Sequence, residues 1–269
     1  MLSIESTSFE SRSFESIRLR TRAIFSLILI TLVTGGTLQA AEPIRAMREA
    51  QRLFQRGVRA ERKGDREQAR TFFVQAANTA PGLPEPHFHL GNLAFLDGRY
   101  DSALGYYSQA ELAYVELGNK LYDLELQRYS DAQQTELELR DAIHAIESGK
   151  VKFPGADFRV VEYKSQISQL RRIQLPSLRE GAAAPAELFF RKGNAQFHVG
   201  HLEQAIASWE RAVELTPDYP IAHNNLALGY LKQGQAARAQ QSLLRAETLG
   251  VAVHPGLKRD IQVALAHQR

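Results

Sequence analysis

From Pro43 onward, apolar residues recur every three or four positions in blocks of about a dozen residues, and short polar or glycine-containing breaks separate the blocks. This periodicity predicts helices in pairs: 44–62 with 66–79, 85–96 with 100–116, 186–198 with 202–215, and 220–232 with 236–249. A final amphipathic segment, 257–267, places Leu257, Ile261 and Leu265 on one face. The middle of the chain, 118–185, follows a different pattern. Tyr122 to Ile146 contains neither glycine nor proline and predicts one long helix. Gly149, Pro154 and Gly155 interrupt it, and a second helix is expected from Asp157 to Gln174. Pro176, Gly181 and Pro185 then mark a loop.

Small residues repeat with the helix pairs. The string Gly-x6-Gly-x4-Ala-x6-Ala is set by Gly57, Gly64, Ala69 and Ala76, then by Gly91, Gly98, Ala103 and Ala110, then by Gly193, Gly200, Ala205 and Ala212. A fourth copy begins with alanine: Ala227, Gly234, Ala239 and Ala246. Successive copies start 34, 102 and 34 residues apart, and 102 is three periods of 34. A fixed period of this size predicts stacked repeats rather than a compact enzyme core. Small residues at the eighth, twentieth and twenty-seventh positions let two antiparallel helices approach, and glycine at the fifteenth suits the turn. The twenty-fourth position is large in every copy: Phe73, Tyr107, Trp209 and Leu243. Pro81 and Pro217 fall at the thirty-second position, where a helix should end.

These residues make the chain resemble the tetratricopeptide repeat family, with residues 186–219 the best single match. The resemblance covers about half the chain and implies an all-α solenoid of helix–turn–helix units. Repeats 1 and 2 occupy 43–117, repeats 3 and 4 occupy 186–253, and 254–269 forms a capping helix. It further implies a concave groove lined by the first helix of each pair, which would hold a protein or peptide. The fifth and twelfth positions of that helix tend to face such a groove, and here they hold Phe54, Phe88, Phe95, Phe190 and Phe197. Buried under a partner, each would contribute about 1.5–3 kcal/mol. Asn92, Asn194 and Asn225 stand where family members that grip a peptide's terminal carboxylate use asparagine, and here they are expected to hydrogen-bond a peptide backbone. A full clamp for a terminal carboxylate is not expected, because Phe190 replaces its lysine and Pro255 stands where a second lysine belongs.

The 68 residues of 118–185 equal two periods, so two degenerate repeats would keep the phase. Yet the small positions would then hold Glu125, Leu137, His144, Arg159, Arg171 and Leu178, which are too bulky for close helix approach. An inserted helical hairpin is the better expectation. Its apolar residues Leu121, Leu124, Tyr129, Leu137, Ile143 and Ile146 would pack on the partner helix. Heptad spacing is not sustained, which disfavours a coiled-coil dimer.

Ahead of the repeats, Arg18, Arg20 and Arg22 precede the apolar run Ala23–Val33 and small residues ending at Ala40. This pattern predicts a secretory signal peptide over 1–40, cut after Ala40. The run is shorter than the ~20 residues of a spanning helix. The alternative is an uncleaved inner-membrane anchor. Export to the periplasm is the corresponding expectation.

Net charge is +3 over 269 residues, a balance that does not argue for nucleic acid, and no basic stripe is expected. With no cysteine, disulfides, thiolate metal sites and a cysteine nucleophile are excluded. The histidines lack metalloprotease spacing, and no phosphate-binding or nucleophile-elbow motif is present. His87 and His223 share the fourth position of their repeats, which favours packing over ligation. Glu136 and Glu138 read as solvated carboxylates. No cofactor, metal or catalytic residue is expected, and nothing in 118–185 pairs a nucleophile with a base to make the insert an enzyme. The expected role is an exported scaffold or adaptor.

Overall fold

A computed structural model describes residues 41–175 and 184–267. The expected signal peptide and the loop markers Pro176 and Gly181 lie outside these residues. The described chain is all helix and turn: α1 (Ala41–Arg62), α2 (Arg66–Thr79), α3 (Pro84–Leu96), α4 (Tyr100–Glu147), α5 (Ala156–Leu170), α6 (Ala186–His198), α7 (Leu202–Leu215), α8 (Pro220–Lys232), α9 (Ala236–Thr248) and α10 (Pro255–His267). It divides into two compact units. One comprises the residues up to Tyr114 together with those from Ala184, and the other is Val115–Ala183.

The first unit is a solenoid of four helix pairs with α10 packed at its end. Each pair is closed by the same chemistry. Gly64, Gly98, Gly200 and Gly234 have φ between 73° and 86°, a left-handed conformation that costs a side-chain-bearing residue energy. In each turn the next residue's N–H reaches back to a carbonyl of the preceding helix, for example Arg99 N to Ala94 O at 2.9 Å and His201 N to Gln196 O at 2.8 Å. The eight alanines of the motif's last two positions are fully buried in the helix seams.

The eighth and twenty-fourth positions are a matched pair. A Cβ added to Gly57 would lie 2.5 Å from the Phe73 ring, one on Gly91 2.5 Å from Tyr107, and one on Gly193 2.6 Å from Trp209. Each glycine is therefore the floor under an aromatic ring. Where the floor is Ala227, the partner shrinks to Leu243, and both are buried. Trp209 needs a second accommodation. Its far edge meets α8 at Gly229, where a Cβ would come within 3.2 Å of Cζ3 and 2.8 Å of Ile206 Cγ1. Gly229 had no place in the repeat string.

Repeat 3 packs directly on repeat 2, although 69 residues (115–183) separate Tyr114 from Ala184 in sequence. Phe88, Ala103, Tyr107 and Tyr114 share one apolar core with Ala184, Leu188 and Ala195. Lys192 Nζ reaches Glu111 Oε2 at 2.7 Å across the same junction. The solenoid's stacking order thus skips the inserted residues.

The second unit consists of the rest of α4 together with α5. Helices were expected over 100–116 and 122–146, the first running on toward the insert because Val115 stands where a closing proline would. They are one helix, which runs through Gly118 because a single glycine costs only about 1 kcal/mol in a helix interior. α5 is shorter than expected and ends at Leu170. The hairpin core is formed by Ile143, Val160 and Ile167, with Leu139, Ile146 and Tyr163 around it. Leu124 and Leu137 are exposed rather than packed on the partner helix. Glu136 corrects the expectation of a solvated carboxylate. It is buried and paired with Arg171 Nε at 3.0 Å and Arg140 Nη2 at 2.6 Å.

Charge is also less evenly spread than composition implied. Arg45, Arg48, Arg52, Arg56, Arg59 and Arg62 of α1 are all exposed. Their spacing of three or four residues puts them on one helix face. A basic stripe therefore exists where none was expected, because composition averages over the chain and the stripe is one helix wide.

Candidate functional site

The sequence-selected residues divide into a buried set and an accessible set. Phe54, Phe88 and Phe190 are buried. Phe54 packs on Phe73 and His89, with ring centroids 5.7 and 5.3 Å apart. Phe88 lies 6.0 Å from Tyr107 and Phe190 lies 5.1 Å from Tyr219. The fifth position here builds the solenoid core and presents no ring to a groove. The reason is that the surrounding helices supply aromatic surfaces that close over it.

The asparagines answer a different need. Asn92 Oδ1 accepts from the Tyr107 hydroxyl at 2.9 Å. Asn194 Oδ1 accepts from Trp209 Nε1 at 3.0 Å and from Asn225 Nδ2 at 2.8 Å. Asn194 and Asn225 are buried; Asn92 is half-buried. Each ninth-position asparagine thus satisfies the polar tip of its own repeat's twenty-fourth-position ring. Where that residue has no polar tip, as in Phe73 and Leu243, the ninth position is Val58 or Leu228. This correlation was present in the sequence and identifies the asparagines as internal acceptors. Replacing Asn194 with alanine is expected to cost about 1–3 kcal/mol by orphaning the indole N–H. The cost should shrink in a Trp209→Phe background, and urea unfolding of the four proteins measures the difference.

Histidines pack as expected. His87 Nε2 donates to the Pro81 carbonyl at 3.1 Å, and His223 Nε2 to the Pro217 carbonyl at 2.8 Å. Each ties the start of a repeat to the proline that ended the previous one. His89, buried, donates from Nδ1 to the Glu61 carboxylate at 2.9 Å. Among the described residues no cluster of metal-ligating side chains occurs.

The accessible set lies at the ends of the first helices. Phe95 and Phe197, both half-buried, flank His198. The His198 ring stacks on Tyr100 at 4.3 Å with an interplanar angle of 11°, and Phe95 lies 5.2 Å from Tyr100 and 5.4 Å from His198. Lys232 Nζ sits 5.8 Å from the Phe197 centroid. Leu96, beside Phe95, is about half exposed. Partial burial lowers the His198 pKa from the usual imidazole value, which favours the neutral ring. Repeats 2, 3 and 4 thereby contribute to one aromatic edge capped by a cation. Tyr100 and Lys232 were not singled out in the sequence, and His198 was weighed there only as a metal ligand, because they fall at helix ends, outside the fifth and twelfth positions.

At the opposite ends of these first helices, the junction of repeats 2 and 3 buries acids. Glu85 and Glu187 hold the second position of their repeats and are both buried. Burial pushes the Glu85 carboxyl up to about 7, against smaller opposing effects of a backbone hydrogen bond and His89. Tyr114 faces both carboxylates, and its hydroxyl is raised well above the ordinary value, first by burial and then by their charge. A separate open cleft of about 760 Å³ lies between α7, α8 and α9, lined by Val213, Pro217, Leu226 and Leu244 with Glu210 and Arg238. None of the eight sequence-selected groove residues lines it.

Fold and seam chemistry define an all-α protein of stacked helix pairs. Comparison adds that residues 193–234 match the sequence model described as TPR repeat. No curated protein matches the chain. Among solved structures, MamA (residues 41 to the end) from Desulfovibrio magneticus RS-1 is similar, with 16% identity over 75% of this chain and 94% of that one and a TM-score of 0.31. PilW, a widely conserved type IV pilus biogenesis factor, is 14% identical over 81% of this chain and 86% of its own, with a TM-score of 0.39. A thermophilic TPR protein of Thermus thermophilus is 19% identical over 81% and 99%, with a TM-score of 0.31. Among the described residues no helix is long and apolar enough to cross a membrane.

Proposed function

We propose that this protein is an exported scaffold or adaptor that holds a segment of another protein in cell-envelope assembly or maintenance. The reading is carried by the aromatic edge of Phe95, Tyr100, Phe197 and His198, which stays accessible while the fifth-position rings are spent on packing. A rigid row of rings with a cation at one end suits an extended or helical peptide with apolar anchors. Asn92, half-buried beside the edge, has a second lone pair for a peptide N–H.

Photo-crosslinkers placed at Leu96 and His198 are expected to trap one partner in cells, whereas a crosslinker at Gln241 in the cleft between α7 and α9 traps none. Replacing Phe95 and Phe197 together with serine is expected to weaken that complex roughly a hundredfold. Circular dichroism should show the helices retained. Undiminished capture by the folded double variant would refute the edge. Phe190 is a poor target for this test, since its substitution unpacks the repeat 3–repeat 4 junction.

Export is supported by the arginines, apolar run and small residues of 1–40. A mature N-terminus at Ala41 is the expected result of N-terminal sequencing. A retained segment would favour the membrane-tethered form.

A further inference from the structure

The arginine face of α1 is used by nothing described so far. Its six arginines recur at intervals of three, four, four, three and three residues, and no lysine is among them. At 1.5 Å per residue the stripe is roughly 25 Å long. The opposite face of the helix, with Ala50, Leu53, Phe54, Gly57 and Ala60, is buried in the first repeat. Arg52 has a carboxylate nearby, Glu49 Oε2 at 3.6 Å, and both side chains are largely exposed. Arg56 lies over the Phe72 ring at 4.3 Å. Among the described residues no ion pair is made by Arg45, Arg48, Arg59 or Arg62.

Neighbouring cations three and four residues apart repel one another along a helix. Other surface helices avoid this by interspersing partners, as Arg211 does with Glu214 and Arg159 with Glu162. A row of unpaired guanidinium groups is complementary to a row of phosphates, which each can grip with two parallel hydrogen bonds.

We infer that α1 is a docking face for an anionic phospholipid surface, with its arginines set among the headgroup phosphates. The back of α1 is packed, so all six arginines are offered to one flat surface. One observation favours a bilayer over a nucleic acid. In sequence the stripe begins twelve residues after the apolar run Ala23–Val33, which on the export reading proposed above brings this part of the chain to a bilayer whether the run is later cut or kept. The inference is independent of the aromatic edge and holds on either side of the membrane.

The test is sedimentation of the full chain with vesicles of phosphatidylcholine, and of phosphatidylcholine mixed with phosphatidylglycerol. The apolar run and Arg18, Arg20 and Arg22 are common to the parent and the variant, so the difference between these two proteins on anionic vesicles isolates the stripe. Expected is tighter binding to the anionic vesicles, falling steeply as salt is raised. The variant R45Q/R48Q/R52Q/R59Q/R62Q should lose about a hundredfold of that affinity relative to the parent, with its thermal melt unchanged or raised. Equal binding of the parent protein to both vesicle types would overturn the inference, even if the variant fails to fold. So would duplex DNA binding as tightly as the anionic vesicles at the same salt, which would reassign the stripe to nucleic acid.

Discussion

Replacing Trp209 with alanine is expected to lower stability by about 3–5 kcal/mol, the largest effect of any single substitution proposed for this chain. The indole is fully buried, lies between Gly193 of its own repeat and Gly229 of the next, and donates to Asn194. Its loss leaves a cavity that two helix pairs share, so neither can collapse alone. A companion experiment separates steric fit from bulk burial. Gly193→Ala should cost about 1–3 kcal/mol, even though alanine is the better helix former by about 1 kcal/mol, because the new methyl meets the ring at 2.6 Å. In a Trp209→Leu background the same change should be neutral or mildly stabilising, since it recreates the Ala227–Leu243 pairing of repeat 4. Urea unfolding of the four proteins gives the coupling. Additive effects would show that the glycine is not the floor of the indole.

The second large effect is pH-dependent. Glu85 is protonated in both folded and unfolded chains well below pH 4.5. Between the unfolded value of 4.5 and the folded value of about 7, the folded chain keeps a proton that the unfolded chain has released. Stability therefore falls as pH rises through this window and levels off above it, by up to about 3 kcal/mol. The charged and titratable groups that interact with this carboxyl are His89 on its own helix and Tyr114 on α4, which Glu187 of α6 also acts on. Glu85→Gln mimics the neutral form and is expected to flatten the stability profile between pH 5 and 8. A profile identical to the parent's would refute the assignment. Because the acid sits where repeat 3 docks on repeat 2, the same window should loosen that junction first. Amide exchange in α3 and α6 would report it.

Several functional assignments changed once neighbours were known. Phe54, Phe88 and Phe190 occupy positions associated with a groove, yet a ring from another helix or turn of the solenoid lies within 6.0 Å of each. A position within one repeat cannot reveal what the next repeat lays over it, as Leu188 and Ala195 do in the core that holds Phe88. The asparagines could have been read correctly, because the ninth position is asparagine only where the twenty-fourth carries a polar tip. The arginine stripe was equally legible from spacing, but net charge averages it away.

Sequence alone determined the repeat. Glycine under a ring and alanine in a seam are local steric requirements, and the left-handed turn glycines are local backbone requirements, so a period of 34 displays them wherever they fall. Tertiary structure decided what lies beyond one period. It joined repeat 2 to repeat 3 across the inserted residues, called for Gly229 beneath the Trp209 ring, and buried Glu85 against Tyr114. It also left Phe95, Tyr100, Phe197 and His198 within reach of solvent. Those outcomes depend on which surfaces meet after stacking, and contacts between residues far apart in the chain leave no periodic trace within it.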